Sequence, residues 1–204
     1  MIWSGNTWRC LRVMEIRTFH KDLTWNLEHS DILAPQKSLL ARAGSEILGM
    51  AQCYQKDGNS FSARDDPVNA LASFAYAAGW LDTGRYIGII TSGQPLCRNL
   101  LSDGTSIPVN CNHQLVEKAC RYQRLLNSAT RSSKPGSETG ICWYEGGERV
   151  IAVATTYLAG GGMFLRIERY EDALACFSYG HGWLDAALRA GVLRIVGNRD
   201  LFAV

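Results

Sequence analysis

Apolar residues recur every three or four positions along most of the chain, which is the spacing of one face of an α-helix. The first two stripes consist of Val13, Ile16, His20, Leu23 and Leu27, and of Leu40, Ala43, Ile47, Ala51 and Tyr54. The sequence Asp57-Gly58-Asn59 is expected to break the second helix. Asp65 or Asp66 followed by Pro67 is a typical helix start, so a third helix is predicted from there to about Ile90.

The second half of the chain shows the same order of elements. Its first helix carries the stripe Leu115, Ala119, Tyr122 and Leu126. The predicted segments after it are a polar loop at 128–140, a second helix containing Val150–Leu158, a glycine loop at 160–162 and a third helix from Tyr170 to about Ile195. Alternation with period two is confined to the short stretch Ile141–Tyr144, which is the one weak candidate for a strand.

An internal repeat explains this parallel order. Residues 69–82 and 172–185 are related by an offset of 103, and nine of these fourteen positions are identical. The same offset, without a gap, pairs Tyr54 with Tyr157 and Gly88 with Gly191. The chain therefore consists of two copies of one module.

Three predicted helices in each copy indicate an all-α protein built from two small helical bundles in tandem. The first module is assigned to residues 1–96 and the second to residues 113–204, with a linker at 97–112 that contains Gly104 and Pro108. Residues 1–13 are interpreted as a loose tail or as a miscalled start before Met14. One arrangement open to the two modules is a pseudo-twofold pair, the intramolecular version of a dimer.

Each third helix carries an aspartate on its largely apolar face. A turn of 100° per residue places Asp82 on the face of Leu71, and Asp185 occupies the same position in the second copy. Such a carboxylate could contact a ligand or serve in catalysis, or it could be a buried structural group that needs a partner. Tyr54 and Tyr157, at matching positions of the second helices, are candidate partners.

The opposite side of each third helix carries a tyrosine and a tryptophan one turn apart. These residues are Tyr76 with Trp80 and Tyr179 with Trp183, and we call them the Tyr–Trp face. Three interpretations stay open. The face could be further core, a contact between modules, between copies of the chain or with a partner protein, or a platform on which a ligand such as a base stacks.

The charge balance gives no general case for nucleic acid, because 21 basic and 19 acidic residues leave a net charge of only +2. One local basic group occurs in the second module: Lys118, Arg121, Arg124, Arg131 and Lys134. This group is either a solvated helix face or a site for RNA or another polyanion.

The seven cysteines form no C-x-x-C pair, and the four histidines do not fall at ligand spacing with them. This pattern predicts reduced thiols in the cytoplasm, with no metal and no cofactor. The longest apolar run, Val150–Leu165, is too short to cross a membrane and is interrupted by glycines.

The third helices resemble the signature of a family of small archaeal proteins, the domain of unknown function 357. The resemblance lies in Asp66–Asp82 and Glu171–Asp185, which both end in Gly-Trp-Leu-Asp, and in the glycines Gly88 and Gly191 that follow. It implies a left-handed, up-and-down three-helix bundle, here present twice, and a cytoplasmic location. The family has no established activity and no catalytic residues, so none are transferred.

Three hypotheses for function remain. The first is a non-enzymatic interaction or scaffold module that binds a protein partner or itself through the Tyr–Trp face. The second is a small-molecule or nucleotide-binding protein, or an accessory subunit of an enzyme, with a site between helices near Asp82 or Asp185. The third is an association with RNA through the basic group. No acid–base pair recurs at matched positions, so the residues make no positive case for an enzyme.

Overall fold

The computed structural model describes residues 19–91, 93–101, 107–136 and 141–203, and six α-helices lie in these ranges. In chain order the helices are α1 (19–28), α2 (Leu39–Ala63), α3 (Pro67–Tyr86), α4 (Asn112–Arg131), α5 (Ile141–Arg166) and α6 (Tyr170–Arg189). Helices α1 to α3 form one bundle and α4 to α6 the other, as the repeat predicts. The expected tail at 1–13 and the alternative start at Met14 lie outside the described residues.

A short antiparallel ladder closes each bundle. Strand β1 (Asp31–Ile32) pairs with β2 (Ile90–Thr91), and β3 (Ser133–Pro135) pairs with β4 (Leu193–Ile195). Each ladder joins the segment after the first helix of a bundle to the segment after its third helix. The ladders were not predicted, because two or three residues are too few to show alternation.

The third helices end earlier than predicted, at Tyr86 and Arg189. Gly88 and Gly191 then adopt the left-handed conformation, with φ of 77° and 74°. Glycine tolerates this conformation without steric cost and is the usual residue after a helix end. The matched glycines therefore turn the chain back towards a ladder after each third helix.

Both predicted glycine breaks are wrong, because Gly58 lies inside α2 and the triplet 160–162 lies inside α5. A Cβ at Gly58 would overlap the ring of Phe74, and one at Gly161 would overlap the ring of Phe177. These glycines therefore let an aromatic ring of the third helix pack directly on the second helix.

Two further boundaries also differ from the prediction. The stretch Ile141–Tyr144 begins α5 instead of forming a strand, and α4 continues to Arg131, so the loop predicted from Ser128 begins later and includes β3. Both differences lie at element ends, where local sequence is least informative.

The two bundles form a pseudo-twofold pair in which α3 packs against α6 at the centre of the molecule. The helices cross at Gly79 and Gly182, which are matched positions of the repeat. A Cβ added to Gly79 would lie 3.1 Å from Gly182 Cα and nearer still to the carbonyl oxygen of Tyr179. Backbone therefore meets backbone at this point, and both third helices are buried along most of their length.

Candidate ligand site between the modules

Two tyrosine–aspartate hydrogen bonds cross the interface between α3 and α6. The hydroxyl of Tyr179 donates to Oδ2 of Asp82 at 2.8 Å, and the hydroxyl of Tyr76 donates to Oδ2 of Asp185. Tyrosine and aspartate of one helix are six residues apart, so they point about 120° away from each other around its axis. The pseudo-twofold pairing instead brings each aspartate to the tyrosine of the other module.

The Tyr–Trp face lies inside the molecule. Trp80 is fully buried, and Trp183 and Tyr179 are 6% and 1% exposed. The two rings of each pair have centroids 6.3 Å apart for Tyr76 and Trp80 and 6.2 Å apart for Tyr179 and Trp183. The face is thus used for contact between the modules of one chain.

Tyr54 and Tyr157 lie beside these pairs. The ring centroids of Tyr54 and Tyr76 are 4.4 Å apart, and those of Tyr157 and Tyr179 are 4.6 Å apart. They are not the hydroxyl partners of the aspartates, a role that Tyr76 and Tyr179 fill. Every predicted candidate of the repeat therefore belongs to one of two matching clusters.

The cluster at Asp82 is closed. A 3₁₀ helix at Leu96–Asn99 follows β2, and its first backbone N–H groups donate to Asp82 Oδ2, from Leu96 at 2.9 Å and from Cys97 at 3.2 Å. Burial raises the pKa of Asp82, and the hydroxyl of Tyr179 and the N–H of Leu96 oppose that rise. With three donors on a carboxylate that is 3% exposed, this copy is complete without a ligand.

The cluster at Asp185 is arranged differently, with the N–H of Ala203 as the backbone donor to its carboxylate. A 3₁₀ helix at Arg199–Leu201 occupies the matching place after β4, but the N–H of Asp200, which matches Cys97, donates to Asn198 at 3.0 Å. Asp185 is 1% exposed, and its Oδ1 atom makes no hydrogen bond to any residue in the described part of the chain. Burial raises the pKa of Asp185, while the His181 ring, the Tyr76 hydroxyl and the N–H of Ala203 oppose that rise.

A pocket of about 330 Å³ opens beside the Asp185 cluster. Its wall includes Tyr54, Tyr76, Tyr122, His181, Asp185 and Phe202, with Asp200 beside them. The Nε2–H of His181 donates to the carbonyl oxygen of Leu201 at 2.8 Å, and the same nitrogen lies 4.0 Å from Asp185 Oδ2. The pocket therefore combines aromatic rings with a buried carboxylate.

Sequence reasoning did not select His181, Tyr122 or Phe202 for this site. The available signal was the departure from the repeat, because His181 stands where the first copy has Ala78. Ala78 is fully buried, whereas His181 lines the pocket. A position at which two otherwise similar copies differ in chemistry is a useful indicator of a site that only one copy carries.

The basic group of the second module divides into two parts. Lys118 is 8% exposed and donates to Oδ1 of Asn69 on α3, and burial lowers its pKa. Arg121 pairs with Glu117 at 3.7 Å. The remaining members, Arg124, Arg131 and Lys134, are exposed. Lys118 is therefore an internal contact between the modules, and the other four side chains lie at the surface.

Within the described ranges, no group of three or more histidine, cysteine or acidic side chains is arranged to hold a metal ion. No helix in that part of the chain is long and apolar enough to cross a membrane.

Comparison with known proteins gives one result, which agrees with the repeat. The family described as "Protein of unknown function (DUF357)" matches the chain twice, at residues 18–90 and 121–193. Each match contains one complete third helix and most of one module. No curated protein and no solved structure matches the chain. Since the two matches together cover more than half of its residues, the chain belongs to the DUF357 family, as a tandem duplication of the family's module.

Proposed function

We propose that the protein is a helical scaffold that binds a small molecule in the pocket at Asp185, and that the Asp82 cluster is its structural counterpart. The observation that carries this proposal is Asp185, a residue of the pocket wall whose buried Oδ1 atom has no hydrogen-bond partner among the described residues.

The repeat allows the buried carboxylates of Asp82 and Asp185 to be compared within one molecule. A buried polar atom without a partner costs about 1–3 kcal/mol, and more when it is charged. The first module avoids this cost with two backbone donors from Leu96 and Cys97. The second module has the same elements in the same order, yet its closing turn leaves the carboxylate beside an open volume. A ligand that donates a hydrogen bond would give Oδ1 of Asp185 the partner that it lacks among the described residues.

The size and composition of the pocket agree with this role. Its volume of about 330 Å³ lies at the lower end of the range of small-molecule sites. The wall combines the rings of three tyrosines and Phe202 with the polar side chains of Ser73, His181, Asp185 and Asp200. Such polar groups can orient a ligand that the rings hold. The candidate residues of the Asp185 cluster, Tyr54, Tyr76 and Asp185, would contact the ligand, whereas Asp82, Tyr157 and Tyr179 would hold the modules together.

The interaction hypothesis is supported in a restricted form. The Tyr–Trp face makes the chain a scaffold by pairing its own modules, and the burial of Trp80 and Trp183 leaves little of that face for a separate partner. The RNA hypothesis has little support, because Lys118 is buried and donates to Asn69, and the exposed Arg121 lies 3.7 Å from Glu117.

We also infer a cytoplasmic location from the cysteines. The five whose side chains are described, Cys53, Cys97, Cys111, Cys120 and Cys176, are free thiols. Burial raises the pKa of the Cys176 thiol to about 12, which makes it unreactive. Thiols persist in this form in a reducing compartment.

The test of the ligand proposal is a screen of chemically mixed small fragments against the ¹⁵N-labelled full chain, with backbone amide shifts as the readout. We expect binding fragments of some class to shift the amides of Tyr122, His181 and Phe202 together. The variant Phe202→Asn, which installs the residue that the first module has at the matched position, should reduce those shifts. The proposal would be contradicted if fragments shifted only the amides around Asp82. It would also be contradicted if no fragment shifted the amides of the pocket.

A further inference from the structure

We infer that the pocket at Asp185 takes a small organic cation, a protonated primary amine carried on an apolar or aromatic body. This inference rests on the proposed function, because it names the ligand class of the same site.

The charges around the pocket favour a cation. Its wall contains the carboxylates of Asp185 and Asp200, and none of its lining residues in the described ranges is a lysine or an arginine. An anionic ligand would place its charge beside two carboxylates, without a lysine or arginine in the described wall to oppose them. A cationic ligand would pair with a carboxylate that the protein has already buried.

The guanidinium of Arg189 lies close enough to oppose the rise in the pKa of Asp185, but it does not line the pocket. Arg189 donates to the carbonyl oxygen of Ala203 at 3.4 Å and lies 3.7 Å from Glu46. Lys118 donates to Asn69 and lies 5.2 Å from the centroid of the Tyr122 ring, and Arg121 lies 5.8 Å from the same centroid. The Nε2–H of His181 points to the Leu201 carbonyl oxygen. None of these groups donates a hydrogen bond to Oδ1 of Asp185.

The rings of the wall suit the same ligand class. Tyr54, Tyr76 and Phe202 line the pocket, and the faces of aromatic rings attract a cation placed within about 6 Å of their centroids. The rings also bury the apolar body of an amine. A neutral hydrocarbon would also be buried by the rings, but it would have no hydrogen-bond donor for Asp185.

The hydrogen-bond inventory selects a primary ammonium over a quaternary one. Oδ2 of Asp185 already accepts from the Tyr76 hydroxyl, whereas Oδ1 has no hydrogen-bond partner among the residues that the structure describes. A primary ammonium group has three N–H donors and can satisfy Oδ1, but a quaternary ammonium has none.

The test uses three probes that share one ring and differ in charge: benzylammonium, benzyl alcohol and benzoate. Affinities are measured at pH 7 by amide-shift titration of the full chain. We expect benzylammonium to bind at the pocket at least tenfold more tightly than benzyl alcohol, and benzoate not to bind there. Tetramethylammonium should bind more weakly than benzylammonium.

Variants from the two copies test the residue assignment. Asp185→Asn should weaken benzylammonium binding at least tenfold, while the repeat partner Asp82→Asn should leave it within twofold of the native protein. Asp200→Asn, an exposed change that leaves the core intact, should weaken binding two- to fivefold. This last variant keeps the test informative if a buried aspartate variant fails to fold.

The results separate the ligand class from the site. Equal or tighter binding of benzyl alcohol or benzoate at the pocket would overturn the cationic class and leave the proposed site in place. The cationic class is also overturned, and the proposed site kept, if none of the three probes binds while other fragments bind at the pocket. If no fragment of any class shifts the pocket, the proposed function fails together with this inference.

Discussion

The hydroxyl of Tyr179 donates a 2.8 Å hydrogen bond to Asp82, although the two residues are 97 positions apart and lie in different modules. Tyr76 and Asp185 make the reciprocal contact. The duplicated module thus supplies half of each buried pair, and neither pair is complete within a single copy.

Removing the hydroxyl of Tyr179 should destabilise the protein. Tyr179→Phe leaves the buried Asp82 with one donor fewer, and we expect a loss of about 1–3 kcal/mol in the free energy of unfolding. Urea unfolding followed by circular dichroism measures this loss. Tyr86→Phe is the control, because Tyr86 is 41% exposed, and it should change the stability by less than about 0.5 kcal/mol. Equal effects of the two changes would count against a structural role for the crossed pair.

The helix crossing should tolerate no side chain at Gly79 or Gly182. Alanine at either position would press its Cβ against the backbone of the opposite helix, so we expect a loss of about 3 kcal/mol or more, at the upper end of overpacking effects. Gly49→Ala and Gly160→Ala are controls within helices that have open space around the added methyl group. These controls should gain about 0.5–1 kcal/mol from helix propensity. Thermal unfolding of all four variants compares the two classes directly.

The burial of Asp82 should appear as a pH dependence of stability. Its pKa is raised above the ordinary value of 3.8 in the folded protein, so folding favours the protonated form. This contribution is fully present below about pH 3.8 and is lost as the pH rises through the raised pKa. We therefore expect the stability of the native protein relative to Asp82→Asn to increase as the pH falls from 7 towards 4. Urea titrations of both proteins at several pH values measure the difference, in which the other carboxylates largely cancel. A flat difference would mean that the pKa is not raised.

Binding of benzylammonium at Asp185 should fall on acidification. The contact needs the ionised carboxylate, whose pKa is raised by burial, so affinity should decline at a pH above that expected for an ordinary aspartate. His181 and Asp200 also face the pocket, so the titration is repeated with His181→Ala and Asp200→Asn. We expect the decline to persist in both variants. A decline that disappears in His181→Ala would assign it to the histidine.

Much of the fold follows from local pattern. The spacing of apolar residues predicts the helices, and the offset of 103 predicts that the two modules share one fold. The errors occur where packing overrides local preference. Glycine is a poor helix former, yet Gly58 and Gly161 stay helical because Phe74 and Phe177 need the space above them.

The candidate site was also predictable only in part from the sequence. The repeat marked Tyr76, Asp82 and their partners as special, because they recur with the same phase on both third helices. It did not indicate which tyrosine meets which aspartate, because that depends on where α3 crosses α6 and not on spacing along either helix. The residues that make the second cluster a pocket, such as Phe202, lie where the two copies no longer agree in sequence.

The sequence by itself determined that the protein is a duplicated helical module, since helix periodicity and repetition are local properties that a single chain displays without its partners. The tertiary structure alone decided that the Tyr–Trp face is internal and that the buried pairs are exchanged between the modules. It also decided that the N–H groups of Leu96 and Cys97 donate to Asp82, whereas Asp185 borders a pocket. The physical reason is that a hydrogen bond depends on distances of about 3 Å between groups far apart in the chain. Such distances are set by how the two bundles pack and by the path of the turns that follow α3 and α6.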